Sequence, residues 1–80
     1  MNVRRQNAAR ILEEKVVAVK EVHFLVEVFD ALQGKSFTGI VKMINGFPRG
    51  SFVTFGQSPL SKEAIQAVRS KVLNEHNSKK

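Results

Sequence analysis

Apolar positions along this 80-residue chain change rhythm twice, and each rhythm predicts a different kind of element. From Asn2 to Lys20 there is no Gly or Pro, and good helix formers dominate, among them Ala8, Ala9, Arg10, Leu12, Glu13, Glu14 and Lys15. Ala8, Ile11, Leu12, Lys15, Val16 and Val19 recur at helical spacing, so the pattern predicts an N-terminal helix over 1–20. The run Val16, Val17, Val19 and Val22 pulls the other way, because a branched Cβ restricts the side chain against a helical turn. The segment from Val22 to Phe29 fits both periods. Alternation puts Val22, Phe24, Val26 and Val28 on one face, whereas helical spacing groups Val22, Val26 and Phe29; strand is the reading adopted for most of it.

The middle of the chain reads as a β-meander over 22–57. All five glycines lie between Gly34 and Gly56, together with Phe37, Phe47, Phe52 and Phe55. Ser36 to Ile44 is rich in β-formers, and Phe37, Val41 and Met43 would share a face with Gly39. Asn45-Gly46 signals a tight turn, reinforced by Pro48 and Gly50, and Ser51 to Phe55 then reads as a short strand around Val53 and Phe55. Period 3.6 returns at the end. Ser58-Pro59 has the form of a helix start, a hydroxyl cap before proline, and Leu60, Ala64, Ile65, Val68 and Val72 continue at helical spacing. A C-terminal helix is expected over 58–76, with a frayed polar tail from Asn77 to Lys80. The fold class expected is therefore mainly β: a small, strongly bent antiparallel sheet or barrel with a helix at each end.

Length and composition sharpen this reading. Eighty residues make one small domain over 1–80, burying only about 60% of the unfolded chain's surface. With no cysteine, neither a disulfide framework nor a cysteine-ligated zinc site can staple it, so self-association is the expected support. Thirteen Lys and Arg against seven Asp and Glu give a net charge of +6, which favours a polyanionic partner. No apolar run has the length of a membrane span and no signal-peptide core precedes the domain, so a soluble, cytoplasmic protein without a membrane partner is expected.

The charge is unevenly spread. From Ala31 to Lys62 there is no acidic residue, while Lys35, Lys42, Arg49 and Lys62 are basic and phenylalanines lie among them. Cations interleaved with an exposed aromatic on a small sheet suit single-stranded nucleic acid, the ring stacking on a base. Phe37 and Phe55 are expected in the core. Phe47, inside the turn from Asn45 to Gly50, is open to either stacking or packing.

The segment Gly34-Lys35-Ser36-Phe37-Thr38-Gly39-Ile40-Val41 resembles the first motif of the Sm-like family, the LSm and Hfq group. There the first glycine permits a tight turn, apolar residues point into a barrel, and the second glycine lets the strand bend. Ile44-Asn45 takes the place of the family's apolar-Asp pair, and Ser61-Lys62-Glu63-Ala64-Ile65 is similar to the Hfq second motif, with Glu63 where that motif has His. The resemblance implies a homo-oligomeric ring, closed by strand addition between subunits, that binds single-stranded RNA and serves RNA metabolism. It also implies site roles: Asn45 hydrogen-bonding a base, Phe47 stacking on it, Arg49 on the backbone and Lys62 on base or phosphate. Phe52 is the alternative stacking residue.

Other chemistry is not expected. Gly34-Lys35-Ser36 matches the end of a phosphate-binding loop, but Phe29 stands where that loop needs its upstream glycine. His23 and His76 have no partner at metal-ligand spacing, and no nucleophile-base set is present, so no enzyme activity, cofactor, metal or small-molecule substrate is expected. Glu13, Glu14 and Glu21 read as a solvated face, and Arg4, Arg5 and Arg10 as a solvated helix end. A different function class stays open: a small basic adaptor or inhibitor that docks its Leu60 to Leu73 helix on a larger protein without binding nucleic acid.

Overall fold

A computed structural model describes residues 6–78. Four strands follow one another as a meander: β1 (Ala8–Ala18), β2 (Glu21–Asp30), β3 (Lys35–Ile44) and β4 (Phe47–Arg49). They form one open antiparallel sheet in the order β1-β2-β3-β4. A 3-10 turn at Ser51–Val53 leads to the one α-helix among the described residues, α1 (Lys62–Asn77), which packs across one face of the sheet.

The alternation in β2 decides which face is covered. Phe24, Val26 and Val28 are fully buried and meet Val41 and Met43 of β3 and Ala64, Ile65, Val68 and Val72 of α1. Removing these apolar side chains from water between the two sides of the layer is the dominant favourable term in folding. The apolar side of α1 is therefore consumed by its own sheet. No helix among the described residues is long and apolar enough to cross a membrane.

The N-terminal helix expected over 1–20 is not found: 8–18 is a strand, and 1–5, with Arg4 and Arg5, lie outside the described residues. The register explains why the pattern misled. β1 pairs with β2 from Ala8↔Phe29 to Ala18↔Glu21, but Leu12 and Val17 are extra residues at two irregularities. Each extra residue interrupts the two-residue period. The positions opposite the buried side of β2 are consequently 9, 11, 14 and 16, a 2-3-2 spacing close to that of a helix face. Pairing with a full-length β2 outweighs the modest helix propensity of this segment.

Two further boundaries move. Ser51 to Phe55 is not a strand; β4 lies earlier, at Phe47–Arg49, and Phe52 and Val53 turn into the core through the 3-10 turn. Gly39 makes this possible. An added Cβ there would stand 2.4 Å from the Phe52 ring, so the glycine serves close approach of a ring. The predicted tight turn at Asn45-Gly46 is present, with φ of 53° and 84° as a two-residue hairpin requires.

The helix begins at Lys62 rather than Ser58, and the reason is a buried carboxylate. Asp30, at the end of β2, is wholly shielded from solvent. Its oxygens accept from the Ser61 amide at 2.7 Å, the Ser61 hydroxyl at 2.8 Å, the Gln33 side-chain amide at 2.7 Å and the Leu32 amide at 3.1 Å. Ser61 in turn caps α1, accepting from the Ala64 amide. Ser58 instead closes a turn by accepting from the Leu60 amide, and Leu60 is buried just before the cap. Burial pushes the Asp30 carboxyl up, but the hydrogen bonds from Ser61 and Gln33 outweigh it and hold the group below its ordinary value. One side chain thus ties the β2–β3 loop to the start of the helix.

Candidate nucleic-acid interface

The face of the sheet turned away from α1 carries the other half of each alternation. In register across β2, β3 and β4 it presents Glu21, Ile44 and Phe47 in one row and His23, Lys42 and Arg49 in the next. Leu25 and Ile40 follow, then Glu27 and Thr38. β1 adds Lys15 beside His23 and Arg10 beside Glu27. Among the described residues no element packs on this face.

Its two halves differ in charge. On the β1–β2 half the charges are mixed: Arg10 Nε donates to Glu27 Oε1 at 2.8 Å, His23 Nε2 and Glu21 Oε2 lie 2.7 Å apart, and Glu13 stands beside Leu25. On the β3–β4 half there is no acid at all. Thr38, Ile40, Lys42, Ile44, Phe47 and Arg49 make a strip of two cations, one aromatic ring and two branched aliphatics. Phe47 is 62% exposed and Ile40 46%, far more than sheet residues that serve a core. The hairpin geometry explains the placement. With Pro48 buried against Met43, the residues on either side of it must point outward, so Phe47 and Arg49 stand side by side on the open face.

The predicted site residues are therefore only partly brought together. Phe47 and Arg49 share the open face, and Lys42 joins them as the cross-strand partner of Arg49. Asn45 holds the turn itself: it adopts positive φ, its amide donates to the Lys20 carbonyl at 2.9 Å, and it borders a shallow cleft with Val19, Val22 and His76. Lys62 stands on the helix side of the sheet, its ammonium 5.9 Å from the centre of the Phe55 ring. Phe52 is buried, and a buried ring cannot receive a base. Phe55, expected in the core, is 58% exposed, because the chain leaves the sheet after Arg49 and the 3-10 turn directs Phe52 and Val53 inward instead. Phe37, also expected there, is partly buried against the core with Lys35 over its ring.

Ile40, Ile44 and the neighbouring His23 and Lys15 escaped the sequence reading. The signal that could have found them is the phase of β2: with Val22 and Phe24 inward, His23 must face outward. Pairing β2 to β3 through the 31–34 loop then places Lys42 beside it.

Comparison with protein-family models, with curated proteins and with solved structures finds no match to this chain.

Proposed function

We propose that this chain is a single-stranded RNA-binding protein that uses the open β3–β4 face as its platform, with a role in RNA metabolism. The observation that carries the reading is the acid-free strip in which Phe47 lies next to Arg49 and Lys42, flanked by Ile40 and Ile44. A base stacks on Phe47, the aliphatics cover its edge, and the two cations meet the flanking phosphates. The Sm-like resemblance supports the same ligand, but its helix-first element order is not the one found here, so the reading rests on the face itself.

The unequal edges of the sheet support self-association through β1. β4 offers three residues, one of them Pro48 without an N–H, which is a poor template for strand addition and hence for a ring closed between β1 and β4. β1 offers eleven residues with Leu12, Val16 and Val17 exposed. Pairing of β1 with β1 of a second copy gives the sheet a protected edge and brings two RNA platforms into one assembly. The adaptor alternative is disfavoured, since the apolar side of α1 is buried.

The test is fluorescence anisotropy of a labelled oligouridine at several salt concentrations. Saturable binding that weakens steeply with salt and is lost in Lys42→Glu/Arg49→Glu is the expected result. Absence of binding at low salt, or binding indifferent to the double reversal, overturns the reading. Light scattering at micromolar concentration tests the association, and a strictly monomeric mass would remove it.

A further inference from the structure

The chain's other exposed aromatic lies on the far side of the sheet, and it has its own cleft. Between the 3-10 turn and the first half of α1 is a depression of about 400 Å³ lined by Val53, Thr54, Phe55, Ile65, Gln66 and Arg69. Lys62, outside the lining itself, holds its ammonium 5.9 Å from the centre of the Phe55 ring. The helix explains the grouping: 62, 65, 66 and 69 are three or four residues apart and fall on one side of α1. No acidic residue is among the lining residues.

We infer that this cleft is a nucleotide-binding site, in which one nucleobase stacks on Phe55 and its phosphate is held between Lys62 and Arg69. Each part of a nucleotide has a counterpart here. The exposed ring offers a π-face, and Val53 and Ile65 offer an apolar floor of the kind that small-ligand clefts use. The Gln66 amide has both a donor and acceptors for a base edge. The Arg69 guanidinium donates once, weakly, to the Val53 carbonyl at 3.5 Å, which leaves the rest of its fork for a phosphate. The ammonium of Lys62, held against an aromatic ring, completes the anion side. The assignment gives Lys62 a role apart from the sheet face, where it does not lie, and it does not depend on the platform around Phe47.

The experiment is a ¹H–¹⁵N NMR titration of the full chain with uridine 5′-monophosphate, run beside ribose 5-phosphate and inorganic phosphate. Uridine monophosphate should shift the amides of 53–55 and 62–69 saturably, with the base-free anions at least about tenfold weaker. Phe55→Ala should weaken the nucleotide by at least about tenfold, and Phe55→Tyr should retain it. Because Phe55 is exposed, both variants should keep a native spectrum. Equal shifts from ribose 5-phosphate would make this a generic anion contact and overturn the assignment, as would no saturable shift at millimolar nucleotide. Lys42→Glu/Arg49→Glu should leave the mononucleotide shifts in place. Their loss in that variant would put the nucleotide on the sheet and overturn the assignment, whereas their persistence beside failed oligouridine binding would count against the platform alone.

Discussion

The two faces of one sheet stand in opposite surroundings in this protein. On the inner face, Phe24, Val26, Val28, Val41 and Met43 are sealed in one core with Phe52 and Val53 of the 3-10 turn and the apolar side of α1. On the outer face, the residues one step along the same strands leave Ile40 and Phe47 in water beside Lys42 and Arg49. Both sets contain branched aliphatics and an aromatic, so hydrophobicity alone does not separate core from site. Phase does. A strand presents successive residues to opposite sides, and the helix can cover only one of them. Substitutions on the inner face should act on stability and those on the outer face on binding, and the comparison fails wherever that division is crossed.

The largest expected effect is on the inner face. Phe24→Ala should cost about 3–5 kcal/mol by removing a fully buried ring from the centre of the layer. A domain this small has roughly 4–12 kcal/mol in total, so urea denaturation should show a variant close to unfolding. Gly39→Val sharpens the same point from the opposite direction. With a Cβ 2.4 Å from the Phe52 ring, it should cost about 1–3 kcal/mol or more by overpacking, with a lowered urea midpoint.

Asp30→Asn comes next. Every group that meets this carboxylate is a donor, including Ser61 N–H, Leu32 N–H and the Gln33 side chain, so either orientation of an amide turns an NH₂ group towards donors. The expected cost is about 1–3 kcal/mol. The pH dependence has a fixed sign. The folded-state pKa of Asp30 lies below its ordinary value of 3.8, so its contribution is complete above that value and is lost as pH falls through the lower folded one. Acid denaturation followed by circular dichroism should therefore show a steeper loss below pH 3.8 for the natural chain than for Asp30→Asn.

How much of this was legible depended on whether period and fold agreed. The inward set of β2, the Asn45-Gly46 turn and the apolar side of α1 follow directly from spacing, because nothing interrupts them. β1 was hidden by its two extra residues, Leu12 and Val17, which turn a period of two into something closer to a helix. The helix start was misjudged because Ser58-Pro59 satisfies the local rule, while the decisive cap, Ser61, is chosen by Asp30 thirty-one residues away. The site divided in the same way. Phe47 and Arg49 stand out locally, but their company with Lys42 and Ile44 is a matter of cross-strand register. The acid-free stretch from Ala31 to Lys62 looked like one basic surface; folding distributes it, with Lys42 and Arg49 on the open face and Lys62 beside Phe55 behind it.

On the outer face the effects should be smaller and should leave the fold untouched. Phe47→Ala should weaken oligouridine by about 1–3 kcal/mol, the usual contribution of one stacked base, with the urea midpoint unchanged because the ring is largely exposed. A drop in stability instead of affinity would mean that Phe47 belongs to an interface or to the core, and the division between the faces would no longer hold.

The smallest effect discriminates between the two halves of the outer face. If Lys42 meets a phosphate, Lys42→Gln should reduce the slope of log affinity against log salt by about 0.7, the value for one contact on a single strand. Arg10 is equally basic but is committed to Glu27 across the β1–β2 ladder, at 2.8 Å. Exposed pairs of this kind add little to stability, so Arg10→Gln should fold normally. Since its charge is already balanced locally, the salt slope should change by less than half as much. Equal slope changes from the two substitutions would mean that RNA responds to the overall charge rather than to the acid-free strip, and the β3–β4 half would lose its claim to be the platform.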